Sequence, residues 1–220
     1  MLHEAASAGD QAEVERLLAA GAEIHALDFY SSTPLHEASH GGHLEVVRLL
    51  LKRGASIDAR NNTGWTPLHD ACYGGHPEVV RLLLSGGAEI GARSSGSRTP
   101  LHCACNSGHP EVVLELLSGG AELDARDSEG STPLHYACYY GHLEVVREFL
   151  SGGAEIDARN NDGETPLHLA CKEGHSDTAA ELILRGANRF IENNDGKTPV
   201  ELTNNPELRA LFSPMVKSAI

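Results

Sequence analysis

Thirteen histidines and five cysteines in a chain of 220 residues are the groups that could carry chemistry, as metal ligands, proton carriers or nucleophiles. His36 and His40 stand four apart, a zinc-like spacing on one helix face, but no thiol or carboxylate completes an evident ligand set, so no metal is expected. Catalysis needs a nucleophile, a base and an orienting group converging in a pocket. Most of these residues instead recur at a fixed interval. His3, His36, His69, His102, His135 and His168 share one register, His43, His76, His109, His142 and His175 a second, and Cys72, Cys105, Cys138 and Cys171 a third. Such groups belong to a framework. Only His25, His40 and Cys103 fall outside it, and neither a Gly-x-Ser-x-Gly elbow nor a phosphate-binding glycine loop is present. No catalytic residue and no cofactor are expected.

The interval is 33 residues. Thr-Pro-Leu stands at Thr33, Thr66, Thr99, Thr132 and Thr165, and Thr198-Pro199-Val200 closes the series. Leu2-His3 is in register with Leu35-His36, so the chain opens inside a truncated unit. Aromatics are only 5% of the residues, few for one large core and consistent with a modular one. Each Thr can cap a helix whose first residue is Pro, and Gly42, Gly75, Gly108, Gly141 and Gly174 are placed to end it in the left-handed conformation. A second helix follows, with an acid in its first turn (Glu45, Glu78, Glu111, Glu144, Asp177), a Val-Val and Leu-Leu stripe, and a stop at Gly54, Gly87, Gly120, Gly153 and Gly186. Segments such as Asn160-Asn161-Asp162-Gly163 supply the turn to the next unit. Neither helix is long enough to be stable alone, and only a neighbouring unit can cover its apolar face. The expected fold is therefore all-α, one elongated solenoid with units near 1–32, 33–65, 66–98, 99–131, 132–164, 165–197 and 198–213, and a tail over 214–220.

The period, with Thr-Pro-Leu-His, Gly-His-Leu-Glu-Val-Val and Leu-Leu-x-x-Gly-Ala in phase, resembles the ankyrin repeat over nearly the whole chain. The resemblance implies paired antiparallel helices with a β-hairpin finger, and protein binding on the concave surface of finger tips and inner helices. It also implies that the framework histidines bond within and between units, and that the in-register cysteines replace a small residue packed between helices. Departures lie at the ends and in two fingers. Phe29-Tyr30-Ser31-Ser32 lacks the usual glycine, Gly96 is shifted by one, Glu201 replaces the last His, and Asn204-Asn205-Pro206 interrupts the final helices.

Outside the framework, the finger and inner-helix positions gather all five tyrosines and the only tryptophan. Partner contacts are expected at Tyr30, Glu37, Trp65, Asp70, Tyr73, Arg98, Cys103, Tyr136, Tyr139, Tyr140, Leu169 and Lys172, because Tyr and Trp bury large area while keeping a polar handle. Cys103, out of register, is expected on the inner surface, where a tolerated small residue is the preferred reading and a reactive thiol the alternative. The formal charge of −14 disfavours nucleic acid and anionic membranes, and a charged partner should be basic. Residues 111–164 hold twelve acids against three bases, whereas residues 48–98 hold seven bases against four acids. A basic segment would therefore be steered toward the tyrosines at 136, 139 and 140.

No apolar run reaches the roughly 18 residues of a membrane helix, and no signal peptide is read at the start. Reduced thiols and a cytoplasmic or nuclear location are expected. The expected role is a monomeric, non-catalytic adaptor or regulatory subunit for another protein, the alternative being a stoichiometric inhibitor or assembly chaperone. Ser218-Ala219-Ile220 matches the loose carboxyl-terminal pattern read by strand-adding peptide domains.

Overall fold

The computed structural model describes residues 1–212; the tail and its carboxyl-terminal pattern lie outside the described residues. In chain order the helices are α1 (Leu2–Ser7), α2 (Gln11–Ala19), α3 (Pro34–His40), α4 (Leu44–Lys52), α5 (Pro67–Gly74), α6 (Pro77–Ser85), α7 (Pro100–Ser107), α8 (Pro110–Ser118), α9 (Pro133–Tyr139), α10 (Leu143–Ser151), α11 (Pro166–Glu173) and α12 (Ser176–Leu184). A 3-10 turn (Pro199–Leu202) and α13 (Pro206–Leu211) complete the described residues. Odd-numbered helices α1 to α11 pack side by side as an inner row, and even-numbered α2 to α12 form an outer row. The core is a continuous ladder between them. Leu35, Leu68, Leu101, Leu134 and Leu167 are fully buried at equivalent positions, and all five cysteines are free and buried.

The framework histidines tie one unit to the next. Each of Thr33, Thr66, Thr99, Thr132 and Thr165 is the N-cap of its helix, in extended backbone, and its N–H donates to Nδ1 of the His three residues on, at 3.1 Å. Accepting that bond leaves the proton on Nε2, which donates to the carbonyl 29 residues later, as from His102 to Ser131 at 3.1 Å. One ring thus joins a helix start to the following finger. The second series reaches backward, with His142 Nε2 bonded to the Asn106 carbonyl at 3.1 Å and His175 Nε2 to that of Tyr139 at 2.9 Å. Glu201 explains its own departure. Its Oε2 accepts from the Thr198 N–H at 2.8 Å and from its hydroxyl at 2.6 Å, performing the capping half of the histidine's role in the last Thr-Pro unit.

The fingers are tight turns with no strand among the described residues. Each is closed by two backbone bonds, as from Asp127 N to Ser131 O and from Gly130 N to Asp127 O, and successive fingers are joined, as from Asn161 N to Glu129 O. Two side-chain devices hold the turns. Asp28, Asn61, Asp127, Asn160 and Asn193 each accept backbone N–H groups two and four residues on. Arg60, Arg93, Arg126 and Arg159 each donate to a carbonyl in their own finger and to one 33 residues on.

The displaced glycine does not move its turn. Gly64, Gly130, Gly163 and Gly196 take positive φ, and Ser31 and Ser97 take it at the same position, with φ of 60° and 59°. The bonds Ser95 N to Thr63 O and Ser128 N to Gly96 O hold that finger in register, so the serine bears the strain. Because left-handed backbone costs an L-residue roughly 1–2 kcal/mol, partly offset by glycine's greater freedom when unfolded, Ser97→Gly is expected to stabilise the protein by about 0.5–1 kcal/mol in urea denaturation.

Candidate functional site

The concave side is built by inner helices that project every third or fourth residue toward the finger tips. One of its hollows, of about 310 Å³, lies between the fingers of residues 127–131 and 160–164 and helices α9 and α11. Tyr139 and Tyr140 meet edge to face at 4.9 Å and remain 38% and 45% exposed. Tyr136 behaves differently. Its hydroxyl donates to Asp127 Oδ2 at 2.8 Å, and the Arg98 guanidinium lies over its ring at 5.1 Å. Burial, the Asp127 bond and the Asp127 charge together push the phenol above its ordinary range. A partner cation therefore finds one face of Tyr136 already taken.

Asp127 is the site residue that sequence reasoning passed over. Its Oδ1 closes the finger turn, as Asn160 does one unit later, and the second carboxylate oxygen is left for Tyr136. The recurrence of Asp or Asn at 28, 61, 127, 160 and 193 was the available signal. Lys172 pairs with Glu164 at 3.2 Å across the same hollow. Leu169, expected as a contact, is only 7% exposed and forms part of the wall.

Toward the amino-terminal end, Trp65 and Tyr73 pack at 5.5 Å and His40 stacks on Tyr73 at 6.2 Å. A narrow cleft of about 40 Å³ joins Trp65, Tyr73, Arg98, Cys103 and Tyr136. Cys103 does face inward, but at 3% exposure these aromatic neighbours enclose it, and burial pushes its thiol well above the ordinary range. This burial favours the small-residue reading over the reactive-thiol alternative, because the thiolate needed for reaction is disfavoured. Tyr30 and half-buried Glu37 line a shallow hollow at the amino-terminal end, where Phe29 meets Tyr30 edge to face at 5.3 Å.

Asp70 carries an unpartnered carboxylate oxygen on this face. Its Oδ2 is enclosed without a hydrogen-bond partner, and burial, reinforced by the Glu37 charge, raises its carboxyl to about 8. A raised folded value means that its contribution to stability is full at low pH and is lost as the pH rises from about 4 through 8. Asp70→Asn is therefore expected to stabilise the protein above pH 8, by on the order of 2 kcal/mol, and to have little effect near pH 3, as read from unfolding midpoints at the two pH values.

His36-Glu37-Ala38-Ser39-His40 has the His-Glu-x-x-His pattern of zinc hydrolases. The structure gives it another use. Both His36 nitrogens are engaged, Nδ1 by Thr33 and Nε2 by the Trp65 carbonyl at 3.1 Å, while His40 stacks on Tyr73. No group of three potential metal ligands occurs among the described residues.

Comparison with protein families matches "Ankyrin repeats (3 copies)" over residues 2–94 and 87–160, and "Ankyrin repeats (many copies)" over residues 151–202. The chain belongs to the ankyrin-repeat family. The crystal structure of the human ASB11 ankyrin repeat domain superposes on this ankyrin-repeat chain with a TM-score of 0.88 and 31% identity, covering 96% of this chain and 95% of that one. No curated protein matches. Ankyrin repeats generally serve as protein–protein interaction modules, no catalytic family is indicated, and no described helix is long and apolar enough to cross a membrane.

Proposed function

We propose that this ankyrin-repeat protein is a non-catalytic binding module that presents its concave finger and inner-helix surface to a basic segment of another protein. The observation that carries this reading is the charge left over once internal partners are assigned. On the basic side, Arg60 and Arg93 are spent on the finger ladder, and Arg48, Arg53 and Arg81 pair with Glu45, Glu15 and Glu115. Of the twelve acids in residues 111–164, only Glu111, Glu129, Glu148 and Asp162 have a carboxylate without any hydrogen-bond or ion-pair partner among the described residues, Asp124 and Asp157 being held by the backbone N–H groups of Glu155 and Asn188. Glu111 and Glu148 lie on outer helices α8 and α10, whereas Glu129 and Asp162 border the tyrosine hollow.

The test is affinity capture from lysate at low and physiological ionic strength, with the intact chain and the Tyr139→Ala/Tyr140→Ala variant. Tyr136 is left in place because removing it would strip Asp127 of a partner. The expected result is a partner enriched at low salt and weakened at least tenfold in the variant, the effect of losing about 1.4 kcal/mol or more at a hot spot. Capture unchanged by both salt and substitution would move the binding surface elsewhere.

A further inference from the structure

The tyrosine hollow narrows the chemistry of its occupant further. Glu129 and Asp162 hold the same position in adjacent fingers, 33 residues apart, and the bond from Asn161 N to Glu129 O, at 2.9 Å, sets those fingers side by side. The Asp162 carbonyl in turn accepts from Asn194 N at 2.9 Å. Two exposed carboxylates are thus presented together from a fixed backbone. The cations of the hollow do not neutralise them, because Lys172 is paired with Glu164 and Arg98 lies between Asp127, at 3.9 Å, and the Tyr136 ring. The exposed Tyr139 and Tyr140 rings line the same hollow, and about 310 Å³ is open to a guest, close to the lower end for a pocket that encloses a small group.

We propose that this hollow takes a single arginine side chain from an extended segment of the partner, its guanidinium bridging Glu129 and Asp162 and lying against the Tyr139–Tyr140 pair. This rests on the reading of the concave face as the site for a basic segment. Arginine fits better than lysine for a physical reason. A planar, weakly hydrated fork can serve two separated carboxylates while stacking on an aromatic ring, whereas a compact ammonium in so open a site keeps its water. An anionic group is disfavoured by the residual charge.

The test uses the full chain, isotope-labelled for backbone amide NMR, and four probes: N-acetyl-arginine amide, its lysine and citrulline counterparts, and an arginine-containing basic nonapeptide. The arginine probe is expected to shift the amides of Glu129, Tyr139, Tyr140 and Asp162, with lysine at least several-fold weaker and citrulline inactive. Glu129→Gln/Asp162→Asn should weaken the nonapeptide about tenfold; both residues are exposed, and the melting temperature should not change. Equal shifts from lysine, or an unchanged nonapeptide affinity in the double variant, would overturn the arginine site. If the nonapeptide still perturbed other concave residues, the basic-segment reading would stand without it. No perturbation of the concave face by any probe would overturn both.

Discussion

Acidification from pH 7 to 4.5 should remove most of the folding stability, in a window set by histidines and not by surface ion pairs. Burial, only partly offset by bonds from Nε2 to backbone carbonyls, lowers His69, His102 and His135 to about 4, and lowers His36 and His168 in the same direction. Since the unfolded imidazole titrates near 6.5, the unfolded chain binds more protons between about 4 and 6.5, and stability falls as the pH drops through that range. At 1.36 kcal/mol per pKa unit, each of the three most shifted rings contributes up to about 3 kcal/mol. Their sum is comparable with the whole stability of a typical domain. Asp70 works in the opposite sense but is one group. Each lowered ring has Nδ1 committed as an acceptor of a threonine N–H, so a second proton would set donor against donor. Urea midpoints flat from pH 7 to 4.5 would contradict this account.

Gly108→Ala should cost about 3 kcal/mol, and Gly120→Ala no more than about half of that. Both glycines have positive φ, 76° and 89°, so alanine meets the same backbone penalty of roughly 1–2 kcal/mol at either. They differ in what a Cβ would touch. At Gly120 nothing lies within 4 Å, whereas at Gly108 it would fall on the imidazole of His142. That ring cannot move freely while its Nε2 holds the Asn106 carbonyl. The excess loss at Gly108 therefore measures the packing of one unit on the next. Equal losses in chemical denaturation would show that the glycines serve only the turn.

Much of the fold could be read from the period, because capping Thr, first-turn Pro and terminal Gly act locally, and their effect does not depend on what lies 33 residues away. The expected helix starts at Pro34, Pro67, Pro100, Pro133 and Pro166 are the observed ones. What was less legible depends on neighbours. Cys103 and Leu169 occupy an inward-facing position, and the bulk packed beside them removes both from solvent. Ser97 adopts the left-handed turn although Gly96 is adjacent, because ladder bonds from two other fingers hold the register. The tyrosines were visible by composition. That Asp127 and Arg98 hold Tyr136, while Tyr139 and Tyr140 stay accessible, depends on side-chain geometry between units.

The most direct test of the central claim is site-specific photo-crosslinking, with a benzophenone side chain placed at Tyr140 on the concave face or at Glu148 on the outer row, followed by sequencing of the attached peptides. The account predicts abundant products at Tyr140 whose attached peptides are rich in arginine and lysine, and few at Glu148. Products at Glu148 that equal or exceed those at Tyr140, or acidic peptides at Tyr140, would contradict it.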